Sequence, residues 1–186
     1  MERKALKLKD GRKGVIRSLT KADADLLYRC FRRFGKEARR NFAPHPFSRE
    51  TAESLCDNLV QDHPSRRYLI IIGKPPNEKP LGYTFLYQLD QKVPSLAIGL
   101  TDDAVGQGLG RQVVEFLIDV AGKLGFAKVC LCVLMRNGRA RRLYESMDFT
   151  YQRHRFWDDN GKGWSLRMAK NIGGRRGSYV WDDDAE

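Results

Sequence analysis

Between residues 100 and 111 the chain reads LTDDAVGQGLGR. Three glycines, Gly106, Gly108 and Gly110, fall within five residues. They stand just ahead of a stretch in which Val113, Leu117, Val120 and Leu124 recur at helical spacing, with Val114, Ile118 and Ala121 beside them. Glycine weakens a strand or helix interior by roughly 0.5–1 kcal/mol, so such a cluster needs a physical reason. One reason is that a bulky anion must approach the main chain closely. There the start of a helix offers unpaired N–H groups and the positive end of its dipole. A tight strand-to-helix turn would account for the same glycines. The spacing is not the G-x-G-x-x-G of a dinucleotide loop, and the terminal Gly-Lys-Ser/Thr of a nucleoside triphosphate loop is missing.

Working outward, the upstream residues read as a short strand over 14–18, then a helix capped by Thr20 with Asp23 at its third position. Leu26, Leu27, Cys30, Phe31 and Phe34 share one face of that helix, and Gly35 ends it. The proline-bearing segment 41–47 is a loop, after which Ser48 caps a second helix striped by Ala52, Leu55, Cys56, Leu59 and Val60. Strands over 67–73, 81–88 and 95–100 are joined by connections too short for parallel crossovers, so they predict an antiparallel meander.

Downstream, the helix over 108–124 is closed by Gly125 and followed by a continuous apolar strand over 127–134. Strand–helix–strand order predicts a parallel pair at this point. A shorter helix over 137–147 and two strands over 149–156 and 164–170, flanking an Asn160-Gly161 turn, complete the domain. The expected fold is therefore α/β (α+β). It is a single domain over 1–170, with a mixed six- to seven-stranded sheet, an antiparallel N-terminal meander, splayed central strands and about four helices. Residues 171–186 turn glycine- and charge-rich and are expected to form a flexible tail, anchored if at all by Tyr179 or Trp181.

Composition narrows the function classes. Of the 186 residues, 41% are hydrophobic and 31% charged, which is the balance of a soluble globular domain. The longest apolar run, 69–72, is far short of a membrane span, and the basic N-terminus has no apolar stretch behind it. A cytoplasmic location follows by default. Cys30, Cys56, Cys130 and Cys132 are too scattered for a disulfide framework and are expected to be buried, reduced thiols. With His45, His63 and His154 as the histidines, no zinc spacing emerges, and no metal is expected. A net charge of +11 attracts anions. The arginines nevertheless come in dispersed pairs with no polybasic block or nucleic-acid motif, so charge alone is a weak argument for a nucleic-acid partner.

The segment Val105–Gly110, VGQGLG, followed by a strand and then by Asn137, Ala140, Leu143, Tyr144, Glu145 and Phe149 in the pattern N-x-x-A-x-x-L-Y-E-x-x-x-F, resembles the GCN5-related N-acetyltransferase (GNAT) family. The resemblance spans roughly residues 14 to 170. The family carries Q/R-x-x-G-x-G/A at the first of these places, and this chain departs from it by having Val105 where Gln or Arg is usual. A valine side chain donates no hydrogen bond, so one polar contact near the diphosphate is lost or supplied elsewhere.

The resemblance implies acetyl-CoA as cosubstrate, bound by Leu100, Thr101, Asp102, Val105, Gly106, Gln107, Gly108, Leu109, Gly110, Arg111, Asn137, Arg139 and Tyr144. It also implies direct attack of an amine on the thioester. Leu100 then offers a backbone N–H to the developing oxyanion, and Tyr144 is the general acid, since a phenol of pKa ~10 stays protonated beside a thiol of pKa ~8.5. Asn137 would bond the pantetheine arm or cap its helix, and Arg139, Arg141 and Arg142 could meet phosphates. The base is open between His45, Asp102 and a water-mediated route, because the strand over 95–100 has no carboxylate. A non-catalytic acyl-CoA-binding module is the rival reading. The acceptor is an amine on a small molecule or a protein, with an anionic acceptor favoured over a polyamine by the charge. An exposed edge strand near the C-terminus would permit a homodimer.

Overall fold

A computed structural model describes residues 2–42, 44–59, 64–158 and 163–173, the side chains of 153–158 excepted. Among the described residues, eight strands form one sheet in the order β1-β2-β3-β4-β5-β6-β8-β7. They are β1 (Arg3–Lys7), β2 (Lys13–Ser18), β3 (Ser65–Ile72), β4 (Lys79–Tyr87), β5 (Ser95–Leu100), β6 (Lys128–Leu134), β7 (Thr150–Asp158) and β8 (Gly163–Asn171). Five α-helices among the described residues flank the sheet: α1 (Ala24–Arg32), α2 (Lys36–Asn41), α3 (Arg49–Asp57), α4 (Leu109–Lys123) and α5 (Gly138–Glu145). Neighbouring strands run antiparallel except β5 and β6, which run parallel.

The apolar run in β3 explains how one sheet serves two cores. Tyr68 and Ile70 pack into the core beneath α4 and α5, whereas Leu69 and Ile71 pack into the core beneath α1 and α3. Alternation of side chains along a strand makes this unavoidable once both faces are covered. In α4 the buried residues Leu109, Val113, Val114, Phe116, Leu117, Val120 and Ala121 form the stripe that clamps the helix to the sheet. Each fully buried aliphatic side chain of this kind contributes about 1.5–3 kcal/mol.

The fold class matches the sequence reading, and the details correct it. The additional strand is β1, whose single buried residue Leu6 among exposed neighbours left no periodic signal. The additional helix is α2. The first helix stops at Arg32 rather than running to Phe34, and Gly35 serves as the N-cap of α2 instead of closing α1. Asp23 does accept from the Thr20 N–H at 2.8 Å as a capping residue should, but its turn is 3₁₀ and α1 begins after it. Ser48 caps α3 by accepting from the Thr51 N–H at 3.1 Å. Cys30, Cys56 and Cys130 are buried free thiols, but Cys132 is exposed, because its face of β6 is uncovered at that point. The Asn160-Gly161 turn, and Tyr179 and Trp181 in the expected tail, lie outside the described residues.

Candidate active site

The loop between β5 and α4 is built for close approach. Gly106 and Gly108 adopt φ of +84° and +76°, left-handed values that a side chain would strain, and Gly108 is the N-cap of α4. A Cβ placed on Gly106 would meet nothing within 4 Å, so the loop faces open space there. Gly110 serves packing instead. A Cβ on it would lie 2.9 Å from Leu143 Cδ2, so its smallness lets α4 approach α5. Among the described residues, the main-chain N–H groups of Gly106, Gly108, Leu109 and Gly110 have no hydrogen-bond acceptor. Together with the helix dipole they form an anion-attracting surface.

This loop is braced from a distant part of the chain. The Lys9 N–H donates to the Gln107 carbonyl at 3.1 Å, and the Asp10 N–H to Gln107 Oε1 at 3.3 Å. Gln112 accepts from the Lys7 N–H at 3.0 Å and donates back to the Lys7 carbonyl at 2.8 Å. The Gln107 side chain is thus occupied, and Val105 is fixed by its N–H on the Thr101 carbonyl at 3.2 Å. Sequence reasoning missed the β1–β2 turn as part of this region. Contacts across about a hundred residues leave no local pattern.

The second element is a gap in the sheet. β5 and β6 share one register pair, Ser95 with Cys130, where the Cys130 N–H donates to the Pro94 carbonyl at 2.9 Å and Ser95 Oγ lies 3.0 Å from Cys130 Sγ. Both strands pair fully with their other neighbours, β4 and β8. They therefore diverge beyond Ser95, leaving a wedge that widens toward Leu100 and Leu134. The Thr101 N–H donates to the Leu81 carbonyl at 2.9 Å. By the alternation of an antiparallel ladder, the Leu100 N–H then points away from β4 and into the wedge. On the α1 side of β5, Phe34 and Phe42 press on Gly99, where a Cβ would stand 2.6 Å from Phe42 Cδ1.

Tyr144 lies near the end of α5, whose N-cap is Asn137, with Oδ1 accepting from the Ala140 N–H at 3.1 Å. The Tyr144 ring packs 5.8 Å from that of Phe149, in the same core as Leu100 and Ile98. Its hydroxyl has no hydrogen-bond partner among the described residues, and burial pushes its pKa up to about 12. At neutral pH it holds its proton.

The other candidates fall elsewhere. His45 rests against Phe31, Phe47 and Tyr83, in the core on the opposite side of the sheet from Tyr144. Its Nδ1 hydrogen-bonds the Pro46 carbonyl at 2.8 Å, and burial lowers its pKa, keeping it neutral. The Thr101 hydroxyl is spent on the Leu81 carbonyl and on Asp103. Asp102 is exposed, its carboxylate filling the space beside Gly35. Arg111 bonds Ser146 Oγ at 2.8 Å, and Arg141 bonds Tyr151 and the Met135 carbonyl. Arg139 is exposed. The described residues hold no cluster of three metal-ligating side chains, and no described helix is long and apolar enough to cross a membrane.

Three comparisons bear on this geometry. The family model for the acetyltransferase (GNAT) domain matches residues 15–150. No curated protein matches the chain significantly. Among solved structures, the GNAT domain of S. lividans PAT superposes with a TM-score of 0.73 at 15% identity, covering 91% of this chain and 96% of that one. Spermidine N-acetyltransferase from Vibrio cholerae, solved with CoA and spermine, gives 0.69 at 18% identity, covering 86% and 95%. A domain from Methanocaldococcus jannaschii gives 0.66 at 20% identity, covering 86% and 99%. At these identities the structural likeness speaks for the fold.

Proposed function

The chain belongs to the GNAT acetyltransferases, and from that premise we propose that it transfers the acetyl group of acetyl-CoA to a primary amine by direct attack on the thioester. The observation that carries this reading is the wedge between β5 and β6. The Leu100 N–H turns into it, and the unpaired amides of the glycine loop lie just beyond its mouth. The loop fits the cosubstrate because Gly106 faces open space.

In this reading acetyl-CoA supplies the activated acetyl carbon, and the chain supplies position and charge. The amides at Gly106, Gly108, Leu109 and Gly110 hold the diphosphate. The Leu100 N–H donates to the thioester oxygen as negative charge builds on it, and removing one such donor in other acyl-transfer sites costs about 3 kcal/mol. Tyr144 keeps a proton available to the departing thiolate. The incoming amine must lose its own proton, and a water-mediated route serves best. β5 carries no carboxylate, Asp102 lies against Gly35, and His45 is embedded in the opposite core. A net charge of +11 favours an acceptor bearing negative charge over a polyamine of the kind named for the Vibrio cholerae enzyme.

Release of free thiol from acetyl-CoA, measured across neutral, anionic and polyamine acceptors, tests the proposal. The expected result is turnover with at least one amine and a loss of about 10²-fold or more in kcat for Tyr144→Phe. CoA binding without turnover on any amine would leave a binding module in place of an enzyme.

A further inference from the structure

Resting on the reading of the glycine loop as a diphosphate site, we propose that Lys9, carried by the β1–β2 turn, is a phosphate-binding residue and supplies the polar contact that Val105 cannot. The turn is closed by the Leu8 N–H donating to the Arg12 carbonyl at 2.9 Å and is anchored by Leu8, 1% exposed. Its hydrogen bonds to Gln107 and Gln112 fix it to the end of the loop and to the first turn of α4, and Gln112 also donates to the Gly108 carbonyl at 3.2 Å. The Lys9 main chain is therefore held beside the loop. A Cβ placed on Gly108 would lie 3.6 Å from Lys9 Cγ and 3.7 Å from Lys9 Cε, so the chain of methylenes runs past the first residue of the helix mouth.

The charge at the end of that stem is not neutralised locally. Asp10, the adjacent carboxylate, is engaged by Arg12 Nε at 2.9 Å and by its second nitrogen at 2.6 Å. Among the described residues no carboxylate lies within ion-pair distance of the Lys9 ammonium. The loop's own side chains offer nothing comparable. Val105 is apolar, Leu109 is buried, Gln107 is bonded to the turn, and Arg111 is tied to Ser146. A cation carried by the first hairpin thus passes beside Gly108, the N-cap of α4, next to a loop whose own side chains offer none. Lysine suits the role as a compact point charge on a flexible stem.

The test is calorimetric binding of CoA, dephospho-CoA and pantetheine to wild type, Lys9→Gln, Lys9→Arg and, as an exposed control on β2, Lys13→Gln. We expect Lys9→Gln to weaken CoA about tenfold at low salt, with the difference shrinking as salt rises. Lys9→Arg and Lys13→Gln should stay near wild type, and pantetheine, lacking phosphate, should bind all four alike. Equal losses for CoA and dephospho-CoA support the assignment of Lys9 to the diphosphate, and a loss confined to CoA overturns it by placing Lys9 at the 3′-phosphate. Unliganded melting temperatures guard against misfolding. Wild-type CoA affinity in Lys9→Gln overturns the proposal alone. A wild-type chain that binds no CoA removes the reading of the loop, and this proposal with it.

Discussion

Replacing Gly82 with alanine should damage the site without touching a ligand. Gly82 sits in β4 directly opposite Leu100, and a Cβ built on it would stand 2.6 Å from the Gly99 carbonyl oxygen, 2.8 Å from Leu100 Cδ2 and 3.0 Å from Ile70 Cδ1. A carbon–oxygen contact settles at about 3.3 Å, so the β5 main chain must retreat by about 0.7 Å. The oxygen belongs to the backbone, and no rotamer change relieves it. Overpacking of this kind costs about 1–3 kcal/mol. In a domain of this size that lowers the melting temperature by about 3–10 °C. The displaced segment carries the Leu100 N–H, and misplacement on the ångström scale costs up to about 10²-fold in rate. CoA affinity should fall less than turnover, because the amides proposed to hold the diphosphate lie beyond the strand end. Gly106→Ala gives the opposite pattern: open space, a backbone cost of about 1–2 kcal/mol, and weakened CoA binding. Scanning calorimetry, CoA titration and thiol-release kinetics on both variants separate the two. A Gly82→Ala protein that melts and turns over like wild type would refute the reasoning.

Other outcomes follow from the same structure. Asp23 is 8% exposed at its side chain and accepts two 2.7 Å bonds from Arg17. Burial alone would raise its pKa, yet Arg17 and Thr20 hold it below the usual carboxylate value. Its stabilising contribution is therefore present above about pH 4 and lost as the pH falls through the folded-state value, so Asp23→Ala should cost about 3 kcal/mol at pH 7 and progressively less in acid, read by urea unfolding. Tyr144, with its pKa raised to about 12, acts in the other direction. Stability present below about pH 10 should drain away as the pH climbs toward the folded-state value, and Tyr144→Phe should remove its share of an alkaline slope to which buried Tyr68 and Tyr83 and half-buried Tyr87 also contribute. Brief alkylation of the native chain, followed by mass spectrometry, should mark Cys132 before Cys30, Cys56 or Cys130, since it is the exposed thiol of the four.

Much of this architecture was legible in the residues because its signals are local. The α4 stripe, the Ser48 cap, the meander and the glycine loop each announce themselves within a dozen positions. β1 did not, since a strand with one buried residue shows no alternation, and α2 did not, since none of its residues is buried. The candidate site divides the same way. Gly106, Gly108, Leu100 and Tyr144 were marked by motif, and the structure sets the first three around the loop and wedge and the last in the core that Leu100 shares. His45 is a candidate for its imidazole and for the proline loop that carries it, and its surroundings are aromatic side chains contributed by three separate segments. Lys9 had no sequence signal, because its place depends on hydrogen bonds to residues 107 and 112.

The single rung between Ser95 and Cys130 has a mechanical meaning. Upstream of it stand five strands and downstream three, coupled across the sheet by that rung and along the chain by α4. Whatever lies in the wedge inherits the hydrogen-bonding duties of a ladder left unbuilt. An extended arm bearing amides can take them up, so the bound cosubstrate would splice the two halves, and the filled protein should resist amide exchange along β5 and β6 where the empty one yields.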